Sequence, residues 1–217
     1  MTLFYDLSHR IENGMTYYPG DPEPRLEPAE MEPPWRVTQL RLGTHTGTHI
    51  DAASHFILDG RTIDQYPLPR FILPGFVVPV SDREDDQPIG GESFANYLPA
   101  LPEGGALIIR TGWDRFWRTG RYLRHPFLSA EAAERLVAAR VGLVGIDALN
   151  VDSTARATSH AHRILLGGDV LLVENLTRLD QLTPGKAYQF SFLPLLFSAL
   201  DGSPVRAVAW ESTSDLT

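Results

Sequence analysis

Cysteine is absent from this chain of 217 residues. No disulfide framework and no thiolate metal ligand are therefore available, and any metal must sit on His, Asp, Glu and water. A cysteine-free chain suits a reducing compartment, so the expected location is cytoplasmic. Basic residues are in deficit: 19 Lys and Arg face 27 Asp and Glu, for a net charge of −8. Such a balance leaves no basic face for a phosphate backbone, and nucleic-acid binding is excluded as a function class. Long apolar runs are missing too. The longest, residues 71–80, is interrupted by Pro74, Gly75 and Pro79. It falls short of the roughly 20 residues that a membrane helix needs. The first eight residues lack the basic and apolar regions of a signal peptide.

What remains is an ordinary globular composition, 43% hydrophobic and 21% charged. The length suits one domain over residues 1–217, with residues 1–24 as an N-terminal arm. Gly 18 and Pro 17 imply many turns and short strands. Strands are expected at 3–7, 36–42, 106–110, 143–146, 170–173, 188–195 and 205–210, with residues 71–80 read as strand, turn, strand. Residues 25–35 read as irregular, and 92–98 as a short helix. The clearest helix runs from Ser129, a good N-cap, to about Ala139, with Gly142 just past its end. Leu136 and Val137 would face inward. A second helix would begin near Arg163. Asp201-Gly202 reads as a turn. The pattern is α+β, with a mainly antiparallel, barrel-like β core and few helices on one side.

Chemistry concentrates in residues 43–56, Gly-Thr-His-Thr-Gly-Thr-His-Ile-Asp-Ala-Ala-Ser-His-Phe. Three of the seven histidines, His45, His49 and His55, fall here together with Asp51. Two imidazoles and a carboxylate suit a divalent ion, and a further imidazole suits proton transfer. The spacing of His45 and His49 would share a helix face, but Thr-Gly-Thr between them is poor helix material. A straight strand fails as well. His45 to Asp51 would span about 20 Å at roughly 3.3 Å per residue, whereas ligands sit about 2 Å from a shared ion. The segment must bend, and Gly47 is the residue free to do so. Three ligands leave a site open, so outside groups are needed. His162 and Glu174 are the best placed, with His160 the rival of His162.

His45-Thr-Gly-Thr-His49-Ile-Asp51-Ala-Ala-Ser-His55-Phe resembles the signature of the cyclase-like metal-dependent hydrolases, which include bacterial kynurenine formamidases and isatin hydrolases. Further stretches are similar: Tyr5-Asp-Leu-Ser-His9, Tyr18-Pro-Gly-Asp21, Arg110-Thr-Gly-Trp113, Gly145-Ile-Asp147, Ala161-His162-Arg163, Glu174-Asn-Leu and Asp201-Gly-Ser-Pro-Val-Arg206. The resemblance implies a swivelling β/β/α fold and a homo-oligomer, a dimer or tetramer. It implies one or two ions of zinc or manganese on His45, His49, Asp51, His162 and Glu174, with His55 as general acid/base. Tyr18 stands where kynurenine formamidases usually carry Trp, and Ala53 stands where the signature usually has proline.

The expected activity is hydrolysis of a C–N bond in a formamide, lactam or related small aromatic amide. An activated water would attack the carbonyl, and His55 would protonate the leaving nitrogen. Tyr18, Phe56, Trp113 and Trp117 are candidates to line an aryl pocket. A cyclase or lyase stabilising an enolate, and a non-catalytic protein with a structural metal, are the competing readings. A structural site should close with four protein ligands, whereas a catalytic one keeps a position open.

Overall fold

Four apolar segments set the centre of the fold. In the computed structural model, which describes residues 2–80 and 82–211, they are β5 (Ile72–Pro79), β7 (Ala106–Arg110), β9 (Leu143–Ile146) and β10 (Leu171–Glu174). These lie side by side and parallel. Near-continuous apolar sequence is what strands covered on both faces require. The sheet has nine strands in the order β1-β13-β11-β5-β7-β9-β10-β4-β12. On one flank lie β1 (Phe4–Asp6), β13 (Val208–Glu211) and β11 (Tyr188–Ser191); on the other, β4 (His49–Asp51) and β12 (Gly202–Pro204). The five pairings outside the parallel centre are antiparallel. The α+β expectation therefore stands, with a parallel core inside the antiparallel flanks.

Alternation along the strands divides the interior into two layers. Val78, Ile109 and Leu172 face one cluster, which also holds Ala132 and Leu136 of α1 (Ala130–Ala138) and Ala161 and Leu165 of α2 (His160–Gly167). Val77, Ile108 and Val173 face the other, with Leu7, Ile50, Tyr188 and Phe190. Both helices thus lie on one side of the sheet. Ser129 caps α1 by accepting the Ala132 N–H at 3.1 Å. Val137 is only partly buried, while Leu136 is fully enclosed.

Several local expectations change. Residues 72–79 form one uninterrupted strand, not two. Gly75 permits it: a Cβ there would lie 2.1 Å from the Ala106 carbonyl oxygen, so only glycine allows β5 to approach β7. The segment read as irregular contains β2 (Arg25–Pro28), which pairs with β3 (Thr38–Arg41) in an exposed two-stranded ribbon. The helix expected at 92–98 is a pair of 3₁₀ turns, Gly91–Phe94 and Leu98–Ala100, with Pro99 preventing a longer helix. Two minor strands, β6 (Pro88–Ile89) and β8 (Phe127–Leu128), pair in parallel nearby. Gly202 begins an edge strand instead of closing a turn. No helix among the described residues is long and apolar enough to cross a membrane.

Candidate metal centre

The site forms where β4 meets β10. Their antiparallel register sets His49 opposite Glu174 and Asp51 opposite Leu172. Within β4, His49 and Asp51 share one face and Ile50 takes the other, fully buried in the second apolar layer. Burying such a side chain is worth about 1.5–3 kcal/mol. A one-residue slip would drive His49 and Asp51 into that layer, so the apolar core fixes the register of the polar site. Upstream, Gly47 bends the chain at φ +64°. This is the bend that the sequence requires. Downstream, a 3₁₀ turn at Ala53–His55 carries His55.

Side chains from three elements converge. His49 Nε2 lies 3.2 Å from Asp51 Oδ1 and 3.5 Å from Glu174 Oε2. His162, on α2, places Nε2 at 3.3 Å from Glu174 Oε1 and 3.6 Å from Asp51 Oδ2. The far nitrogens are anchored. His49 Nδ1 donates to the Gly47 carbonyl at 2.8 Å, and His162 Nδ1 donates to Asp152 Oδ2 at 2.8 Å. Such anchoring fixes the tautomer and aims both Nε2 lone pairs at the two carboxylates. His45 bridges the rim, with Nδ1 at 2.7 Å from Asp51 Oδ1 and Nε2 at 3.0 Å from Asp201 Oδ2. His55 packs on His45 with ring centres 3.9 Å apart, its Nδ1 3.5 Å from Asp201 Oδ2.

Electron-rich atoms opposed in this way demand positive charge between them. Asp51 Oδ2 is buried with no hydrogen-bond partner among the described residues. Protons supply the charge in the metal-free chain. Burial pulls His49 down, but the Asp51 charge and bonds to Asp51 and Glu174 overcome it and raise it to about 10. Burial likewise opposes His45, yet Asp51 and Asp201 raise it to about 9. Glu174 lies below its ordinary range: burial and Asp51 push it up, and His162 more than offsets them. Asp51 is driven well below its own range by His45 and His49 against the cost of burial. A donor set of imidazoles and carboxylates fits a divalent ion in place of those protons.

The centre lies in a cavity of about 190 Å³, whose lining includes His45, His49, His55, His162 and Glu174. The volume is below the roughly 300–1,000 Å³ of drug-sized sites, which points to a small ligand. Tyr18 and Phe56 are among the lining residues, and Phe56 stacks on His162 with ring centres 4.6 Å apart. Trp113 does not line it. That side chain is 1% exposed and lies in the apolar core, its ring centre 4.8 Å from that of Phe116. It follows a strand whose residues are already enclosed, and the bulkiest apolar group there fills the core first. Trp117 is also outside the lining and stacks on His9 at 3.9 Å. His160, the rival of His162, points to the Leu128 carbonyl and to Asp152 instead. The sequence reading missed the two supporting carboxylates, Asp152 and Asp201, and several lining residues, Asp21 among them. Asp201 and Asp21 lay inside recognisable motifs, but no spacing rule ties a carboxylate to a histidine 156 positions away.

A family model described as a putative cyclase matches residues 5–153. The chain is 32% identical over 217 residues to a kynurenine formamidase of Paracidovorax citrulli, covering 95% of both chains. It is 30% identical over 212 residues to a kynurenine formamidase of Bacillus mycoides, covering 94% of this chain and 95% of the relative. In structure it is similar to isatin hydrolase A from Labrenzia aggregata bound to benzyl benzoate, with a TM-score of 0.85 and 25% identity over 97% of this chain and 94% of that one. Fold, site and kinship define a metal-dependent hydrolase. The chain belongs to the putative cyclase family.

Proposed function

We propose that the chain hydrolyses the C–N bond of a small aromatic formamide or lactam, using a zinc or manganese ion held by His45, His49, Asp51, His162 and Glu174. The observation that carries this reading is the convergence of two anchored imidazoles on two buried carboxylates, one oxygen of which has no hydrogen-bond partner among the described residues, in a pocket that also presents His55. When bound, a divalent ion polarises a carbonyl and acidifies water.

The chain's own groups do the rest. Asp51 and Glu174 supply the negative charge that retains a cation, and Gly47 and Asp152 hold the imidazoles in the binding tautomer. His55 turns Nδ1 towards Asp201, which leaves Nε2 for the reacting atoms. As water adds to the amide carbon, His55 accepts its proton and then returns it to the departing nitrogen, so the C–N bond breaks to a neutral amine. Phe56 and Tyr18 flank the aryl ring. The working unit is one domain over residues 1–217 assembled as a dimer or tetramer, which the exposure of Trp35, Leu40 and Leu196 supports.

The test is metal analysis of the purified protein, followed by hydrolysis assays on formanilide, N-formylkynurenine and isatin. Stoichiometric zinc or manganese with turnover of at least one amide is expected. A protein that retains neither ion and cleaves none of the three would overturn the reading.

A further inference from the structure

Two carboxamides stand beside Glu174 in the pocket. Asn150 precedes Val151, whose N–H donates to Glu174 Oε1 at 3.0 Å. Asn175 follows Glu174 directly. Both line the pocket, and both are more than nine-tenths buried, at 6% and 3% exposure.

Hydrogen bonding fixes which way round each amide stands. The Pro126 carbonyl can only accept, so His125 Nδ1 donates to it at 2.9 Å. Burial lowers His125, which stays neutral, so its Nε2 accepts from the Thr154 hydroxyl at 2.8 Å. With its proton spent, Thr154 Oγ1 accepts from Asn150 Nδ2 at 2.9 Å. At the other end of the amide, Asn150 Oδ1 accepts the Asp152 N–H at 2.7 Å. The second amide is fixed in the same way. Asn175 Oδ1 accepts from the Tyr122 hydroxyl at 2.9 Å, and Nδ2 donates to the carbonyl of Leu149, the residue before Asn150, at 3.3 Å.

Each amide nitrogen carries two protons and has spent one. Among the described residues no hydrogen bond takes the second. The Thr158 hydroxyl is fully used, donating to Asp152 Oδ1 and accepting the Ser153 N–H. Thr16, Tyr17 and Tyr18 also line the pocket, but a hydroxyl can accept as well as donate, whereas an amide N–H only donates. A buried donor left without an acceptor is costly, so this pair asks the ligand for an oxygen.

We propose that Asn150, with Asn175 beside it, is a specificity residue whose free amide proton holds a second oxygen of the substrate, a carbonyl ortho to the scissile amide. The proposal rests on the amide-hydrolase reading above. Both donors flank Glu174, next to the place of the scissile group, and the cavity is only about 190 Å³. On an aryl amide the ortho substituent is the group nearest the scissile nitrogen. A substrate without that oxygen leaves the buried donors unpaired, which is the strongest way a polar pocket rejects an analogue.

The test compares kcat/KM for ortho-formamidoacetophenone and ortho-ethylformanilide, which match in shape and differ in the ortho carbonyl. Asn150→Asp keeps an acceptor for the Asp152 N–H and turns an oxygen towards the substrate. The ratio of ketone to ethyl compound should fall about tenfold or more in that variant, and about fivefold in Asn150→Ala. Equal losses on both compounds, with the ratio unchanged, would mark a merely structural role and overturn the proposal. Calorimetric binding of the deformylated products, ortho-aminoacetophenone and ortho-ethylaniline, needs no turnover. Wild type should bind the ketone about tenfold more tightly than the ethyl compound, and Asn150→Asp should erase that preference. Equal binding of the two by wild type overturns the proposal. Selective binding of the ketone by a metal-loaded protein that cleaves no amide would sink the hydrolase reading and leave the assignment of Asn150 standing.

Discussion

Two buried carboxylates end adjacent parallel strands of the sheet, and their surroundings treat them in opposite ways. Asp147 follows β9, and Glu174 closes β10. Both are almost fully enclosed. Asp147 accepts the Thr111 N–H at 2.7 Å, the Thr111 hydroxyl at 2.6 Å and the Gly112 N–H at 2.8 Å. All three donors are uncharged. They do not offset the loss of solvent, and burial pushes Asp147 up to about 7. Glu174 faces the imidazoles of His49 and His162, and it lies below its ordinary range despite equal burial and the nearby Asp51. Neutral donors make a carboxyl into a latch, here between the end of β9 and the turn that begins at Thr111. Cationic partners make it into a receptor for positive charge. The contrast separates the two carboxyls more sharply than burial does.

The comparison can be broken at either end. The largest effect is expected for Asp51→Asn, which keeps the shape and removes the charge that both His49 and His162 face. Bound metal and amide hydrolysis should both disappear, as measured by elemental analysis and turnover, and a variant that retains its metal would refute the ligand role. His55→Ala should keep its metal but lose about 10²–10⁴-fold in kcat, the usual contribution of general acid/base catalysis. Full activity in that variant would remove His55 from the mechanism. Asp152→Asn should weaken metal affinity roughly 10–100-fold by loosening His162, as losses of such supporting partners do. Competition with a chelator reads this directly.

Asp147→Asn should have the smallest functional effect, with metal content unchanged. Its signature is in stability against pH. The folded-state value of about 7 lies above the ordinary 3.8. The contribution of the protonated carboxyl is therefore complete below about pH 4 and is lost as pH rises through about 7. By linkage the full loss is on the order of 4 kcal/mol. Denaturant titrations at pH 5 and pH 8 should show wild type losing stability relative to Asp147→Asn across this interval. A constant difference would show that Asp147 is ionised throughout.

Much of this contrast was legible one residue at a time. The histidine-rich segment announces its own chemistry, because His49, Asp51 and the bend at Gly47 are local: alternation along a strand and the freedom of glycine are short-range physics. Glu174 and His162 were within reach because each adjoins a segment with a clear apolar pattern. Trp113 was not separable from Tyr18 and Phe56, since an aromatic residue beside a strand suits a core as well as a pocket. Of the ribbon, β3 was expected as a strand at 36–42, but its partner β2 was hidden, because Arg25–Pro28 is mostly exposed and carries no apolar alternation.

The amino-acid sequence by itself determined the donor types, the need for a bend, the apolar runs of the central strands and the absence of thiolate ligands. Only the tertiary structure decided which carboxylates face cations and which face neutral donors. It alone placed Asp152 behind His162 and set Asp201 against both His45 and His55. The physical reason is range. Backbone preferences act over a few residues, whereas desolvation and charge pairing act through space between groups that only folding brings within a few ångströms.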